Sequence, residues 1–318
     1  MQNRVKDLIK SRVSLAPMAG ITDYVLRSLI RKYSKDCLLT TEMISSEFLA
    51  QARKSEITKR DDGHSPISYQ ISGHKPHLMR QAAEMLTPLA DMIDINMGCP
   101  VKKVVGGQDG CSLMRNQSLA QDLVKAVKDG TDKPVSVKFR LGYTADEMNF
   151  VEFGQAMQEA GAEFITIHGR TRSQMYSGFA DWKLIKNLKE NVDVPVFANG
   201  DITSVDKAIQ ALEESGADGI AIGRGALGDP TLIYRIEHYL KTSETLPVPP
   251  IEERVKMLLW HLDEEIKLRR EDVAIKFMRK FYPYYLAGFE NAKILRSKLV
   301  IENDYDMIIK ILNQEFGI

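Results

Sequence analysis

The residues best suited to chemistry in this chain of 318 residues are grouped around one cysteine, Cys99. It lies in Asp94-Ile-Asn-Met-Gly-Cys-Pro100, a segment typical of a buried strand that ends in a Gly-Pro turn. A thiol is mostly protonated at neutral pH, so Cys99 can act as a proton donor. As a nucleophile it would need an adjacent base, and His168 is a candidate. The remaining interpretation is that the cysteine only fills space in the core.

Lys138 is a second candidate, because it lies between Val137 and Phe139 on a predicted strand and should point into the mouth of a barrel. One interpretation is a Schiff-base lysine, as in class I aldolases. Another is a fixed cation beside the N1–C2 edge of a flavin, where it stabilises negative charge on the reduced ring. The third is an ion pair with a carboxylate of a neighbouring strand, Glu42 or Asp94. The pattern is compatible with all three.

His168 and Arg170 lie two positions apart in Ile167-His-Gly-Arg-Thr171. If the strand continues through both positions, their side chains project from the same face. Two donors that converge on carbonyl oxygens suit a flavin, a pyrimidine or a carboxylate ligand. The alternative for His168 is a hydrogen-bonded core residue.

Two glycine-bearing turns predict a phosphate site. Asn199-Gly-Asp-Ile-Thr203 and Gly223-Arg-Gly-Ala226 follow the last two predicted strands. Phosphate-binding barrels expose backbone amides and the N-terminus of a short helix at these positions. Arg224 would add a charge-assisted contact. Glycine after a strand is also ordinary turn chemistry, but two such turns in consecutive loops indicate a phosphorylated cofactor or substrate.

The elements that must position these residues are eight short, β-branched apolar runs that alternate with helical patterns. The runs cover residues 13–17, 38–42, 66–71, 92–96, 134–139, 164–168, 195–198 and 219–222. The helical patterns cover 23–33, 75–86, 118–129, 148–160, 181–190 and 204–215, and only the stretch after the second run is ambiguous. This alternation predicts an α/β fold, a (β/α)8 TIM barrel, because the G-x-G-x-x-G fingerprint of an open sheet is absent. The candidate residues follow strand ends, where such barrels build active sites.

The chain changes character after the predicted barrel. We expect a catalytic barrel over residues 1–240, a Pro-rich linker over 241–250 and an all-helical domain over 251–318. Residues 267–298 carry nine Lys or Arg but three Asp or Glu. Interleaved with them are the aromatic residues Phe277, Phe281, Tyr282, Tyr284, Tyr285 and Phe289. Cations neutralise phosphates and aromatics stack on unpaired bases, so the segment favours RNA binding. The alternative is that the aromatics are core and the charges a solvated face.

The composition narrows the class of protein. Lys plus Arg and Asp plus Glu both number 43. Cys37, Cys99 and Cys111 do not make a disulfide framework, and no His cluster accompanies them, so no metal site is expected. Cys37 should simply pack, whereas Cys111 follows a glycine-rich stretch and stays open as a site residue. No signal-peptide core and no membrane-length apolar run are present, so we expect a cytoplasmic protein without a membrane partner. Nothing implies an oligomer.

In this order, the motifs resemble the tRNA-dihydrouridine synthase family of the flavin-dependent bacterial type. The matching stretches are Ala16-Pro-Met-Ala-Gly-Ile-Thr-Asp23, Glu42-Met43, Gln70-Ile-Ser-Gly73, Asp94-Ile-Asn-Met-Gly-Cys-Pro100, Lys103-Val104, Val137-Lys-Phe-Arg140, Ile167-His-Gly-Arg-Thr171, Ala198-Asn-Gly-Asp-Ile-Thr203 and Ile222-Gly-Arg-Gly225. The match covers the whole barrel and continues into the helical tail. One departure is Gln108-Asp-Gly-Cys-Ser112, where the family usually carries small Ala-Gly-Ser residues.

The resemblance implies an FMN-containing barrel that takes hydride from NADPH and reduces the C5–C6 double bond of uridine in tRNA. Flavin N5 would give hydride to C6 of the uracil, and Cys99 would protonate C5. The implied cofactor-binding residues are Pro17, Met18, Ala19 and Gln70 along the isoalloxazine, Lys138 at its N1–O2 edge with His168 close by, and Asn199, Gly200, Asp201, Gly223 and Arg224 at the ribityl phosphate. The implied substrate-binding residues are Asn96, Arg140 and Arg170. A paired uridine cannot reach such a pocket, so the base would be flipped out of its stack.

Three other functions are compatible with parts of the sequence. The nearest is a small-molecule flavin oxidoreductase of the dihydroorotate dehydrogenase type, which shares the barrel and the flavin but has no need of a basic helical tail. A Schiff-base aldolase would use Lys138 and no flavin. An RNA-binding protein with a decayed barrel is the third, and the full set of polar residues at the strand ends argues against it.

Overall fold

A closed barrel of parallel strands forms the first part of the molecule. The structure, a computed structural model, describes residues 2–51 and 63–318. The strands within these ranges are β1 (Val13–Leu15), β2 (Leu39–Thr40), β3 (Ile44–Ser45), β4 (Ile67–Ser72), β5 (Met92–Met97), β6 (Val135–Arg140), β7 (Phe164–His168), β8 (Val196–Asn199) and β9 (Gly219–Ile222). Their order is β1-β9-β8-β7-β6-β5-β4-β2, with β3 beside β4. A parallel bridge between Ser14 and Leu38 joins β1 to β2 and closes the ring. The predicted TIM barrel is confirmed.

Each of the eight apolar runs contains a strand, because parallel strands in a barrel are covered on both faces and need apolar residues on both. Every residue of β4 and β5 is buried. The first strand ends two residues earlier than predicted, before Pro17, which has no N–H to donate to a sheet. The two-residue strand β3 was not predicted and pairs with β4 at Ile44 and Ile71.

Helices alternate with the strands and then form the rest of the chain. Those described are α1 (Gln2–Leu8), α2 (Tyr24–Tyr33), α3 (Ser46–Gln51), α4 (Pro76–Leu86), α5 (Lys102–Gly106), α6 (Gln117–Asp129), α7 (Phe150–Glu159), α8 (Trp182–Lys189), α9 (Val205–Ser215), α10 (Thr231–Thr242), α11 (Ile251–Leu268), α12 (Glu271–Met278), α13 (Tyr282–Tyr285), α14 (Ala292–Leu299) and α15 (Tyr305–Phe316). The side chains of Asp23, Asp181 and Ser204 each accept the backbone N–H three residues ahead. The predicted starts at these residues are therefore N-caps.

The C-terminal helices lie beside the barrel, where α11 packs against α2. Arg269, directly after α11, lies 2.9 Å from the Asp23 carboxylate, which caps α2. Lys280 donates from Nζ to the carbonyl oxygen of Gly20, in the loop after β1. The helical tail therefore reaches the end of the barrel at which the strands terminate. Over residues 2–51 and 63–318, none of the helices combines the length and the apolar character that a bilayer span requires.

Candidate active site

A cavity of about 730 Å³ opens where the barrel strands end. This volume lies in the usual range of a small-molecule or cofactor site. Fourteen of the predicted site residues line the cavity: Pro17, Met18, Ala19, Gln70, Asn96, Cys99, Lys138, Arg140, His168, Asn199, Gly200, Asp201, Gly223 and Arg224. Arg170 does not. The barrel topology thus brings together residues that are spread over two hundred positions of sequence.

Cys99 lies in a tight turn after β5 that is fixed from two sides. Its backbone N–H donates to Asn96 Oδ1 at 3.0 Å, and its carbonyl oxygen accepts from the N–H of Cys111 at 3.1 Å. Gly110 adopts a φ of +60°, and a Cβ built there would lie 2.7 Å from the Cys99 carbonyl oxygen. The glycine-rich stretch therefore lies against the back of the cysteine turn, while the cysteine itself lines the cavity.

The other two cysteines are buried in the core. Burial raises the pKa of Cys37 and of Cys111 to about 12 in each case. A thiol that is out of reach of the cavity and so hard to ionise makes a poor participant in proton transfer. Cys37 packs as expected, and among the three cysteines only Cys99 lines the cavity.

The Lys138 side chain is partly buried in the barrel and lines the cavity. Its Nζ donates to Asn199 Oδ1 at 3.0 Å. Burial and the charge of Arg140 lower the pKa of Lys138 to about 8, and the nearby Asp94 carboxylate opposes that shift. No carboxylate among the described residues lies within ion-pair distance of Nζ, and Glu42 instead accepts from the N–H of Gly20. The simple ion-pair interpretation of Lys138 therefore does not hold.

Arg170 lies behind His168 instead of beside it, which corrects the expectation that the two side chains share one face. The strand ends at His168, and the Arg170 side chain is buried with 1% of its surface exposed. Its Nη2 donates to Asp201 Oδ2 and to the carbonyl oxygen of Gly178, both at 2.6 Å. Its Nη1 lies 3.3 Å from His168 Nε2. Arg170 thus supports the wall of the cavity and is not among the residues that line it.

The contact with Arg170 also decides the tautomer of His168. A guanidinium can only donate, so His168 Nε2 must accept, and the ring proton of the neutral imidazole is on Nδ1. Burial and the charges of Arg140 and Lys138 hold the pKa of His168 well below its usual value. His168 is therefore a neutral donor at the cavity wall.

Arg140 is buried, yet part of it lines the cavity. Its Nε donates to the carbonyl oxygen of Gly98 at 3.0 Å, in the turn that carries Cys99. Its Nη1 donates to the carbonyl oxygens of Thr171 at 3.0 Å and Met175 at 2.8 Å. Arg140 therefore connects the cysteine turn to the loop after β7 and places a positive charge between them.

The turns after β8 and β9 have the properties of an anion site. Residues 200–203 and 223–225 line the cavity, and their backbone N–H groups donate to no acceptor in the described part of the chain. Gly200 has a φ of +117°, which favours glycine. Successive free N–H groups in such turns form a concave site for phosphate. The side chain of Arg224 is partly exposed at the same place.

The side chain of Asp201, unlike the backbone around it, is used to hold this turn in place. Its Oδ2 accepts from the N–H of Ala180 at 2.7 Å as well as from Arg170. Its Oδ1 lies 3.6 Å from Arg224 Nη2. The carboxylate thus holds the turn together, and only the backbone of Asp201 is suited to an anion.

Several lining residues were not predicted as site residues. Tyr176 lies in the loop after β7 with 53% of its surface exposed, and the Arg224 guanidinium lies 4.9 Å from its ring centre. Tyr284 reaches the cavity from α13 in the helical tail, and Met43 from the segment between β2 and β3. The sequence feature that could have indicated Tyr176 is an aromatic residue within the polar run that follows the end of β7. Tyr284 belonged to the aromatic run of the tail.

The aromatic residues of the tail are mostly core. Phe281, Tyr282 and Tyr285 are buried, and Lys280 Nζ lies 3.3 Å above the ring of Phe277. The interpretation that this set stacks on unpaired bases is therefore wrong for the three buried rings. Exposed lysines remain in this part of the tail: Lys276 on α12, Lys280 between α12 and α13, and Lys293 and Lys298 on α14.

Comparison with known proteins gives one consistent family. The family model described as Dihydrouridine synthase (Dus) matches residues 14–307. The chain is 39% identical over 301 residues to a probable tRNA-dihydrouridine synthase of Rickettsia conorii, covering 93% of this chain and 90% of that protein. It is 38% identical over 312 residues to tRNA-dihydrouridine synthase B of Pseudomonas aeruginosa, covering 97% and 94%.

Among solved structures, the old yellow enzyme homologue from Zymomonas mobilis superposes with a TM-score of 0.52 and 13% identity, over 76% of this chain and 92% of that one. This likeness concerns the barrel fold. The match of the family model over most of the chain, together with relatives near 40% identity over nearly their whole length, leads to one conclusion: the chain belongs to the dihydrouridine synthase family.

Proposed function

We propose that the protein is a tRNA-dihydrouridine synthase that binds FMN in the barrel, takes reducing equivalents from NADPH and reduces the C5–C6 double bond of a uridine in tRNA. The observation that carries the proposal is the arrangement of the cavity. A thiol, Cys99, and the partly buried amino group of Lys138 line the same cavity. The sequences of relatives named as tRNA-dihydrouridine synthases align with this chain over most of its length.

The residues present fit an FMN group. The free N–H groups of residues 200–203 and 223–225, with Arg224, would hold the phosphate. Lys138 would meet the electron-rich N1–O2 edge of the ring, and His168 would donate from Nδ1 beside it. Pro17, Met18, Ala19 and Gln70 supply lining of the cavity along which the ring would lie. When bound, FMN supplies the hydride for C6 of the uracil.

Cys99 would complete the reaction at C5. As hydride reaches C6, the π bond between C5 and C6 breaks, and the S–H bond of Cys99 gives its proton to C5. The thiolate that remains is reprotonated from solvent. Asn96 and Arg140 line the cavity next to Cys99 and would place the uracil oxygens. Arg170, which we expected to touch the base, would act through His168 and Asp201 instead.

The tRNA would meet the mouth of the barrel and the helical tail together. We propose that residues 1–240 are the catalytic barrel and residues 251–318 a tRNA-binding domain. The exposed lysines of the tail are suited to phosphates, since each neutralised phosphate releases counterions. Tyr284 of the tail lines the cavity, so a base flipped into the site would enter beside the tail.

The test is dihydrouridine formation on unmodified tRNA with NADPH, measured by mass spectrometry of nuclease digests. Cys99→Ala should keep its FMN and its oxidation of NADPH, yet lose product formation by about 10²-fold or more, as expected for loss of a general acid. Cys111→Ala is the matched control and should form product at close to the wild-type rate. Normal product formation by Cys99→Ala would contradict the assignment. A yellow wild-type protein that oxidises NADPH without making dihydrouridine would favour a small-molecule flavin oxidoreductase.

A further inference from the structure

Asp94 is a buried carboxylate that does not line the cavity but is hydrogen-bonded to Gln70, which does. It is in the middle of β5, opposite Gln70 of β4 and Ser136 of β6 in the sheet register, with 3% of its surface exposed. Its Oδ1 accepts from Ser136 Oγ at 2.6 Å, and its Oδ2 accepts from Gln70 Nε2 at 2.6 Å. Both oxygens are therefore occupied by neighbouring strands.

A continuous chain of hydrogen bonds leads from this carboxylate to the cysteine turn. Gln70 Oε1 accepts from Asn96 Nδ2 at 2.8 Å. Asn96 Oδ1 in turn accepts from the backbone N–H groups of Cys99 at 3.0 Å and Gly98 at 3.3 Å. Both oxygens of Asp94 accept, and at the other end of the chain a backbone N–H can only donate. These two ends leave a single orientation for both amides between them.

We propose that Asp94 is a positioning residue for Cys99: its carboxylate fixes the direction of the Gln70–Asn96 amide chain and thereby the cysteine turn. The inference rests on the proposed function and adds a residue to it. If no acceptor remains at position 94, Gln70 Nε2 loses its partner, and the amides of Gln70 and Asn96 are free to turn over. In the reversed orientation the amide nitrogen of Asn96 faces the N–H of Cys99, and the turn loses its acceptor.

The same carboxylate is the anion closest in effect to Lys138. The charged or titratable groups that act on Lys138 are Arg140 on its own strand, Asp94 on β5, and the thiols of Cys99 and Cys111. The Lys138 charge also acts on His168 on β7. Of these groups Asp94 is the carboxylate, and it favours the charged lysine. Loss of this charge would therefore lower the pKa of Lys138 below about 8.

The test compares Asp94→Leu, which keeps the shape of the side chain but removes both acceptors, with Ser136→Ala, which removes the other hydrogen bond to the carboxylate but lies outside the chain to Cys99. The first readout is the rate at which iodoacetamide alkylates Cys99 in the FMN-loaded protein, followed by peptide mass spectrometry. We expect Asp94→Leu to change this rate at least fivefold and to lower dihydrouridine formation at least tenfold. Ser136→Ala should stay within twofold of wild type in both. Wild-type alkylation and turnover in folded Asp94→Leu would overturn the proposal.

A second variant separates the two effects and serves if Asp94→Leu does not fold. Gln70→Leu cuts the chain but keeps the carboxylate near Lys138. It should change Cys99 alkylation as Asp94→Leu does, whereas only Asp94→Leu should move the alkaline limb of the activity–pH profile to lower pH. Wild-type alkylation in Gln70→Leu would refute the chain. Because alkylation needs no tRNA, the result stands even if the wild-type protein makes no dihydrouridine.

Discussion

Replacing Gly110 by alanine should move the Cys99 side chain while leaving its thiol unchanged. The added Cβ would lie 2.7 Å from the Cys99 carbonyl oxygen, 3.0 Å from its Cβ and 3.1 Å from Val104 Cγ1. Real Cβ atoms do not approach a backbone oxygen so closely, so the cysteine turn has to move by several tenths of an ångström. The φ of +60° adds about 1–2 kcal/mol of strain for a residue with a side chain.

A misplacement of this order at a reacting group can cost about 10²-fold in rate. We therefore expect Gly110→Ala to lower dihydrouridine formation by about 10²-fold, equivalent to roughly 3 kcal/mol of transition-state stabilisation. The proposed FMN site is formed by other segments of the barrel, so cofactor content and NADPH oxidation should remain. The assay is product formation by mass spectrometry, alongside urea denaturation for stability.

Variants at two other glycines separate the effect of the steric clash with Cys99 from the effect of the positive φ on stability. Gly216 has nearly the same φ, +62°, and a Cβ there would meet no described atom within 4 Å. Gly216→Ala should lose the same 1–2 kcal/mol of stability while retaining activity. Gly106, the last residue of α5, has neither the positive φ nor a close neighbour among the described residues, so Gly106→Ala should retain both stability and activity. Turnover by Gly110→Ala at the rate of Gly216→Ala would refute the reasoning.

Two further predictions concern stability. Burial, together with Asp23, raises the pKa of Glu265, so the folded state holds a proton that the unfolded state releases near pH 4.3. This contribution to stability is complete at low pH and is lost as the pH rises toward neutrality. The Tm of Glu265→Gln minus the Tm of the wild-type protein should therefore increase as the pH is raised from 5 to 8. A difference that does not change with pH would contradict the raised pKa. Arg170→Met should cost about 3–5 kcal/mol in urea denaturation, because it leaves the Asp201 carboxylate without its buried partner. Unchanged stability would instead support a substrate-contact role for Arg170.

The barrel was predictable because each strand obeys one strong physical requirement. A strand covered by helices outside and by side chains inside must be apolar nearly throughout, and eight such runs stand out from the amphipathic helices between them. The N-caps Asp23, Asp181 and Ser204 then marked where helices begin. The short strand Ile44–Ser45 carries no such signal, since two residues contain no period.

The residues of the site were predictable for a geometric reason. All strands of a parallel barrel end at the same face, so a polar residue at a strand end lies near every other one. Cys99, Lys138 and His168 line one cavity for this reason. Arg170 lies two residues beyond the end of β7, where the regular alternation of side chains along a strand no longer applies. The strand ends at His168, and the chain then turns, so a spacing of two no longer implies a shared face.

The tail shows a second limit of sequence patterns. Aromatic residues interleaved with lysines look the same whether the rings are buried or exposed, because helical packing and base stacking both use flat apolar surface. Tyr282 and Tyr285 are buried, whereas Tyr284 between them lines the cavity. Which of three neighbouring positions faces the site depends on how α13 lies against the barrel, and the spacing of residues contains no information on that.

Asp94 shows why the roles of buried polar residues need the three-dimensional register. In the sequence it is a carboxylate in an apolar strand, equally suited to pair with Lys138 or to be a core residue. The sheet register places it opposite Gln70 of one neighbouring strand and Ser136 of the other. Only then does its acceptor-only character matter, because it decides which way two amides must point and so where the N–H of Cys99 finds its partner. A residue that does not line the cavity can in this way determine the position of Cys99, the residue that we propose as the proton donor.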